Sequence, residues 1–241
     1  MLQFAVISML ELARAGEREF VAGLPDNERD AAGSPESWSA KAMLAHVTDF
    51  KRQQVVRLEC IQHGEELPGF PAVDHADSAV YGAYQAEPWK RVLADAERVS
   101  AELVARTGEL DEAGLSGAGA NGRTLWAQLL VRGVWHSSGH IGPFLAQRGR
   151  PDKAEELQRR LVDRARELGL PPKPGSWAMG LYNLACAQVA GGRLTDARAA
   201  LDEALALDPA LARSVETDPD LDPLRADWRS GGDAPEHERE D

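Results

Sequence analysis

The chain has 241 residues, 43% of them hydrophobic and 27% charged, and 27 lysines and arginines stand against 39 aspartates and glutamates for a formal net charge of −12. This is enough apolar material for one large or two small globular domains, while the acidic balance, with no basic stripe, argues against binding nucleic acid phosphates or anionic membranes. The two cysteines, Cys60 and Cys186, lie far apart and form no CxxC, which excludes a disulfide framework or a cysteine zinc site and points to a reducing cytoplasm.

Aromatic residues are few, and the abundance of alanine, leucine and arginine favours helix over strand. The first helix is expected from Leu2 to about Leu24, with Phe4, Ile7, Leu10, Leu12 and Phe20 as an apolar stripe and Glu11, Arg14 and Glu17 outside it. Its apolar start lacks a basic n-region and reads as a core helix, not a signal peptide. A second helix begins near Ser37-Trp38-Ser39, either serine serving as N-cap. It runs to Gly64, with Met43, Val47, Phe50, Gln54 and Leu58 on one face and His46 at its edge. Glu65 to Ala86 is a long connection of lid-like length, with a short helical turn expected around Asp77 to Tyr84.

Pro88 suits the first turn of a third helix, whose face is Val92, Leu93, Ala96, Val99 and Leu103. After a connector from Gly108 to Gly122, a mostly apolar fourth helix runs from Arg123 to Gly149. Pro143 removes one of its hydrogen bonds and is expected to bend it. A polar fifth helix spans Asp152 to Leu168, and Pro171 to Gly175 form a linker. Beyond it, helices are expected at Ser176 to Ala190 and Leu194 to Leu207. Short proline-punctuated helical pieces follow to residue 228, and residues 229–241 read as a disordered acidic tail.

In the connector, Gly117, Gly119 and Gly122 fit GxGxxG and nearly fit a P-loop. Both mechanisms need a strand feeding the loop, none precedes it, and Arg123 stands where the lysine belongs. A flexible interhelix loop accounts for these glycines better.

The fourth helix carries His136 and His140, four residues apart and hence on one face. Six histidines in 241 positions give about 0.15 pairs at this spacing by chance, so a pair alone is compatible with ordinary core histidines. Small residues Ser137, Ser138 and Gly139 leave room beside the imidazoles, and Leu129, Leu130, Ile141, Phe144 and Leu145 wall them in. Buried ionisable groups of this kind need partners, and a metal ion is one. His46, mid-helix on an otherwise apolar side, is the best third ligand. His63 lies at a helix end, His75 in the long loop and His237 in the tail. Three neutral imidazoles plus water leave an open position on zinc, or further open sites on nickel or iron. There is neither an HExxH nor the paired Glu-x-x-His of di-iron bundles. Asp49, one turn after His46, is a candidate to orient a ligand or act as base, against the reading of a solvated helix-face acid. Cys60 reads as buried filler.

Trp38 to Phe50 (WSAKAMLAHVTDF), followed some ninety residues later by HSSGH (His136 to His140), resembles the DinB-like superfamily, whose relatives include YfiT-type metal-binding bundles and mycothiol-dependent isomerases. The resemblance covers roughly residues 1–150. It implies an all-α, up-down-down-up four-helix bundle holding a divalent metal through His46, His136 and His140. It further implies a small-molecule substrate, a thiol-dependent transferase or a hydrolase activity, a low-molecular-weight thiol as cosubstrate, and a homodimer.

The C-terminal portion resembles a tetratricopeptide repeat. Leu184 and Ala185 fill its Leu-Gly place, Gly192 marks the turn, Ala197, Leu201 and Ala204 fill packing positions, and Pro209 ends the unit. One repeat cannot bury its own apolar face and must lean on the fifth helix, the bundle or a second subunit. The chain is thus divided into a bundle (1–150), a connecting helix and Pro-rich linker (151–175), a repeat-like module (176–228) and a tail (229–241). The leading expectation is a cytoplasmic metal-dependent enzyme. The rival is a non-catalytic interaction protein whose bundle is structural and whose repeat-like module docks a protein partner.

Overall fold

The computed structural model describes residues 1–31, 33, 38–68, 70, 84, 87–119, 122–171 and 177–225. Most of the long loop, including residues 77–83 of the turn expected around Asp77 to Tyr84, together with residues 172–175 of the linker and the tail 229–241, falls outside these. Among the described residues the regular structure is helical, with a single isolated antiparallel bridge between Ala118 and Thr124. No helix is long and apolar enough to cross a membrane.

Four long helices form the bundle: α1 (Leu2–Ala22), α2 (Ala40–His63), α3 (Trp89–Gly108) and α4, which is continuous through Leu125–Leu130, Val131–Trp135 and His136–Gln147. Their ends follow local chemistry. The Ser39 hydroxyl accepts from the Ala42 N–H at 3.1 Å and opens α2, and Gly64, at φ 66, closes it in the left-handed conformation that glycine adopts without Cβ strain. Pro88 immediately precedes α3.

Cross-helix pairings set the directions. Gln3 reaches the Gly108 carbonyl and Arg14 and Arg18 grip Glu97, so α1 and α3 run antiparallel. Lys41 donates to the Glu87 carbonyl while Arg106, at the far end, pairs with Glu59, so α2 and α3 are parallel. Gly133 lies under Leu10, Ser137 bonds Glu17 and Phe20 meets Phe144 edge-on, so α1 and α4 are parallel. The result is an up-down-down-up bundle, whose two parallel neighbours require the long α2–α3 crossover.

The core face of α1 is Ala5, Val6, Met9, Leu10, Ala13, Gly16, Glu17 and Phe20. Two sequence expectations are corrected here. Phe4 is 65% exposed because that face begins one residue later. Glu17, expected outside, is buried because a cation waits for it inside. Its carboxylate takes hydrogen bonds from Lys51 Nζ on α2 and Ser137 Oγ on α4, and Lys51 also reaches Ser100 Oγ on α3 at 3.3 Å. One polar knot therefore ties all four helices, with each charge matched inside the bundle.

Helix α5 (Pro151–Glu167) starts with proline at its first position and lies against α1 and α4, where Arg160 pairs with Glu19 and Arg164 with the Ser8 hydroxyl. A hairpin follows, of α6 (Ala178–Ala190) and α7 (Leu194–Leu207), turning at Gly192 with φ 74. Short pieces Pro209–Leu211, α8 (Ala212–Thr217) and Pro219–Leu221 complete the described chain. Ala185, Ala197, Leu201 and Ala204 are buried in this hairpin, and α6 leans on both α4 and α5. One hydrophobic core runs from α1 through to Leu224.

Candidate metal centre

His46 from α2 meets His136 and His140 from α4. The Nε2 atom of His46 lies 2.9 Å from His136 Nε2 and 3.2 Å from His140 Nε2, and the three ligand atoms all lie within 4.8 Å of one another. The α4 pair is aligned by helical spacing, and His46 faces it because α2 and α4 cross the same level of the bundle. Around a tetrahedral cation with metal–nitrogen distances of about 2.0–2.1 Å, neighbouring nitrogens stand about 3.3 Å apart. The two spacings from His46 lie near that value. A purely hydrogen-bonded account is poorer, because one nitrogen of His46 faces two others and a single N–H cannot serve both. The donor set fits a divalent transition metal.

The surroundings keep these rings neutral. Burial pulls His136 down to about 2, helped by the charges of His140, His46, Arg132 and Lys51. Burial, then His140 and Arg132, pull His46 to about 3, and burial alone takes His140 to about 4. At neutral pH all three offer lone pairs instead of protons. The wall is aromatic: Trp38 stacks parallel to His140 at 5.8 Å and meets His46 edge-on at 4.6 Å, while Phe50 touches His136 at 4.1 Å between ring centres. His46 is almost wholly buried, whereas His136 and His140 keep some exposure.

The other candidates stand apart. Asp49 accepts from Gln53 at 3.1 Å and lies in the field of Arg52 and Tyr84, outside the three-histidine group. His63 is exposed at the end of α2, and His75 and His237 lie outside the described residues. Cys60 and Cys186 are free and buried. A cavity of about 390 Å³ opens elsewhere, lined by Pro143, Tyr182, Cys186 and Asp218, but none of the three histidines lines it. Burial and then Asp218 push the Cys186 thiol well up, so it offers no thiolate there.

The connector glycines find a local explanation. A side chain on Gly119 would stand 2.9 Å from the Thr124 carbonyl oxygen and from Gln128 Oε1, and Gly122 has φ 72. Tight turn packing accounts for both, without a phosphate.

Two features were not read from the sequence. The first is a π-helical turn, Val131–Trp135, immediately before His136. The departure from α geometry thus precedes the ligands, and the helix continues through Pro143. Turns of this kind are frequent at functional sites, but no single-residue signal marks them. The C-terminal helices grip this turn: Asn183 on α6 donates to the Trp135 carbonyl at 2.9 Å, the Trp135 indole lies flush on Gly180, and Gln158 on α5 donates to the Ser138 carbonyl at 2.7 Å. The second is Arg132, whose guanidinium lies 4.8 Å from the Phe50 ring centre. Its spacing of four from His136 was the available signal.

The family model of the DinB superfamily matches residues 9–143. This span holds all three histidines and most of the bundle. No curated protein and no solved structure matches the chain.

Proposed function

Because the chain belongs to the DinB superfamily, we propose that it is a divalent-metal-dependent enzyme acting on a small molecule by thiol transfer or hydrolysis, with the ion held by His46, His136 and His140. The observation that carries the reading is the convergence of three imidazole nitrogens, kept neutral by burial, on one point of the bundle. A divalent ion there supplies a Lewis acid with open coordination positions, which polarises an electrophile or lowers the pKa of water or a thiol.

The chain's own residues do the rest. Trp38 and Phe50 hold the imidazole planes and exclude water from two sides. The partial exposure of His136 and His140 leaves the approach open to a small molecule. In this reading α5 and α6 serve as a buttress, holding the carbonyls of Trp135 and Ser138 on either side of His136 and so fixing its direction.

Metal analysis of the purified protein tests the proposal. About one zinc, nickel or iron per chain is expected, and His136→Ala is expected to remove it. Metal-free wild type after loading with each ion in turn overturns the reading. A screen of low-molecular-weight thiols with electrophiles, and of hydrolysable esters and amides, then separates transfer from hydrolysis.

A further inference from the structure

The same face of the bundle carries a second unbalanced group of side chains. On α2, Arg57 lies two turns beyond Phe50; on α4, Arg132 lies one turn before His136; Arg123 lies just ahead of α4. Between the levels of Arg132 and Arg57, Gln128 Nε2 donates to Gln54 Oε1 at 3.1 Å. The Phe50 ring links the two ends, touching Arg132 on one side and His136 on the other.

Arg57 is only 8% exposed, and its Nε is buried with no hydrogen-bond partner. Its guanidinium has the Phe70 ring at 5.5 Å as company. Among the described residues no carboxylate pairs with Arg57, Arg123 or Arg132, in a chain with a net charge of −12. Arginines elsewhere are routinely matched: Arg14 and Arg18 with Glu97, Arg106 with Glu59, Arg148 with Glu28. Burial depresses Arg57 and Arg132 below the ordinary guanidinium range, and the Arg123 and Arg57 charges depress Arg132 further. A buried cation without a counter-charge is costly to keep, and a planar donor fork is suited to a bidentate oxyanion.

We propose that Arg57 and Arg132 form an oxyanion-binding subsite, so that the substrate carries a carboxylate or phosphate seated there while its reacting end lies at the histidines. Naming the reacting end rests on the metal reading above; the anion subsite itself does not.

The test is calorimetric titration of inorganic phosphate and, separately, acetate into the folded full-length chain, both metal-loaded and chelator-treated, with metal content measured alongside. Saturable binding of one of the two anions is expected in both forms, the tighter one distinguishing phosphate from carboxylate. Arg57→Gln and Arg132→Gln are each expected to weaken it at least tenfold, and Arg91→Gln, on a highly exposed side chain, to leave it unchanged. If Arg57→Gln does not fold by circular dichroism, the partly exposed Arg132 still gives a decisive variant. Absence of saturable binding to wild type, binding confined to the metal-loaded form, or binding by both arginine variants as tight as by wild type overturns the subsite. Anion binding without metal uptake supports the subsite and sinks the metal reading; metal uptake without anion binding does the reverse.

Discussion

Two polar clusters lie within the same bundle, and they are built on opposite rules. In the Glu17–Lys51–Ser100–Ser137 knot, every helix contributes one group and the charges cancel internally. In the histidine face, three imidazole nitrogens converge on one point, and the nearby arginines have no paired carboxylate among the described residues. The first cluster is complete without anything from outside. The second has surplus lone pairs at one end and surplus positive charge at the other, and a ligand is what would balance both. Buried polar groups that satisfy each other belong to the fold; those that do not are where chemistry is to be sought.

The strongest way to break this contrast is to make the complete cluster incomplete. Lys51→Met strands the Glu17 carboxylate in the core and is expected to lower unfolding free energy by about 3–5 kcal/mol, measured by urea denaturation, with Glu17→Gln added to it recovering a large part. A loss under 1 kcal/mol would mean the knot is not the buried pair described.

Acid sharpens the difference next. The histidines' folded values, about 4 for His140, 3 for His46 and 2 for His136, lie below the unfolded value of 6.5. Below that value the unfolded chain takes up protons that the folded chain refuses. Stability is therefore full above about pH 6.5 and falls as pH drops toward the folded values. The slope is about 1.4 kcal/mol per pH unit for each histidine that stays neutral. Denaturation of metal-free protein from pH 7 to 5 measures it, and His46→Ala should flatten it. An unchanged slope in that variant would contradict the assignment.

Smaller effects probe the buttress. Gly180→Ala places a methyl group within 2.9 Å of the Trp135 ring, itself fully buried, and is expected to cost about 1–3 kcal/mol. Asn183→Ala removes the hydrogen bond to the Trp135 carbonyl, with an expected loss of about 1 kcal/mol. Both variants should also weaken metal uptake, read by competition with a chromogenic chelator. Destabilisation with unaltered metal affinity would restrict α6 to a role in stability alone.

Much of the fold was legible from local signals. The bundle helices and their limits follow from apolar periodicity and from Ser39, Gly64, Pro88 and Pro151, and α6 and α7 meet at Gly192 as their spacing implied. The faces chosen for α2 and α3 match the buried residues, apart from Leu93, which is only partly covered. On α1 the stripe misjudged Phe4 and Glu17. Periodicity reports which residues share a face, but it cannot tell that a glutamate on that face has a lysine opposite it. The histidine pair was legible for the same reason that helices are: four residues apart is one turn. His46 was the best third candidate from its apolar setting, and the superfamily pattern supplied the rest.

By itself, then, the sequence determined an all-helical chain, where its helices begin and end, and which three histidines to bring together. Hydrogen bonding along one helix and the spacing of apolar residues are local properties, and local order encodes them. Only the tertiary structure decided which polar residues are buried with partners and which without. It set Glu17 against Lys51 and Ser137 across 34 and 120 residues of chain, introduced the π turn before His136, and left Arg57 and Arg132 without a carboxylate partner among the described residues. Those outcomes depend on what a neighbouring helix presents at the same level of the bundle, and that is settled by packing.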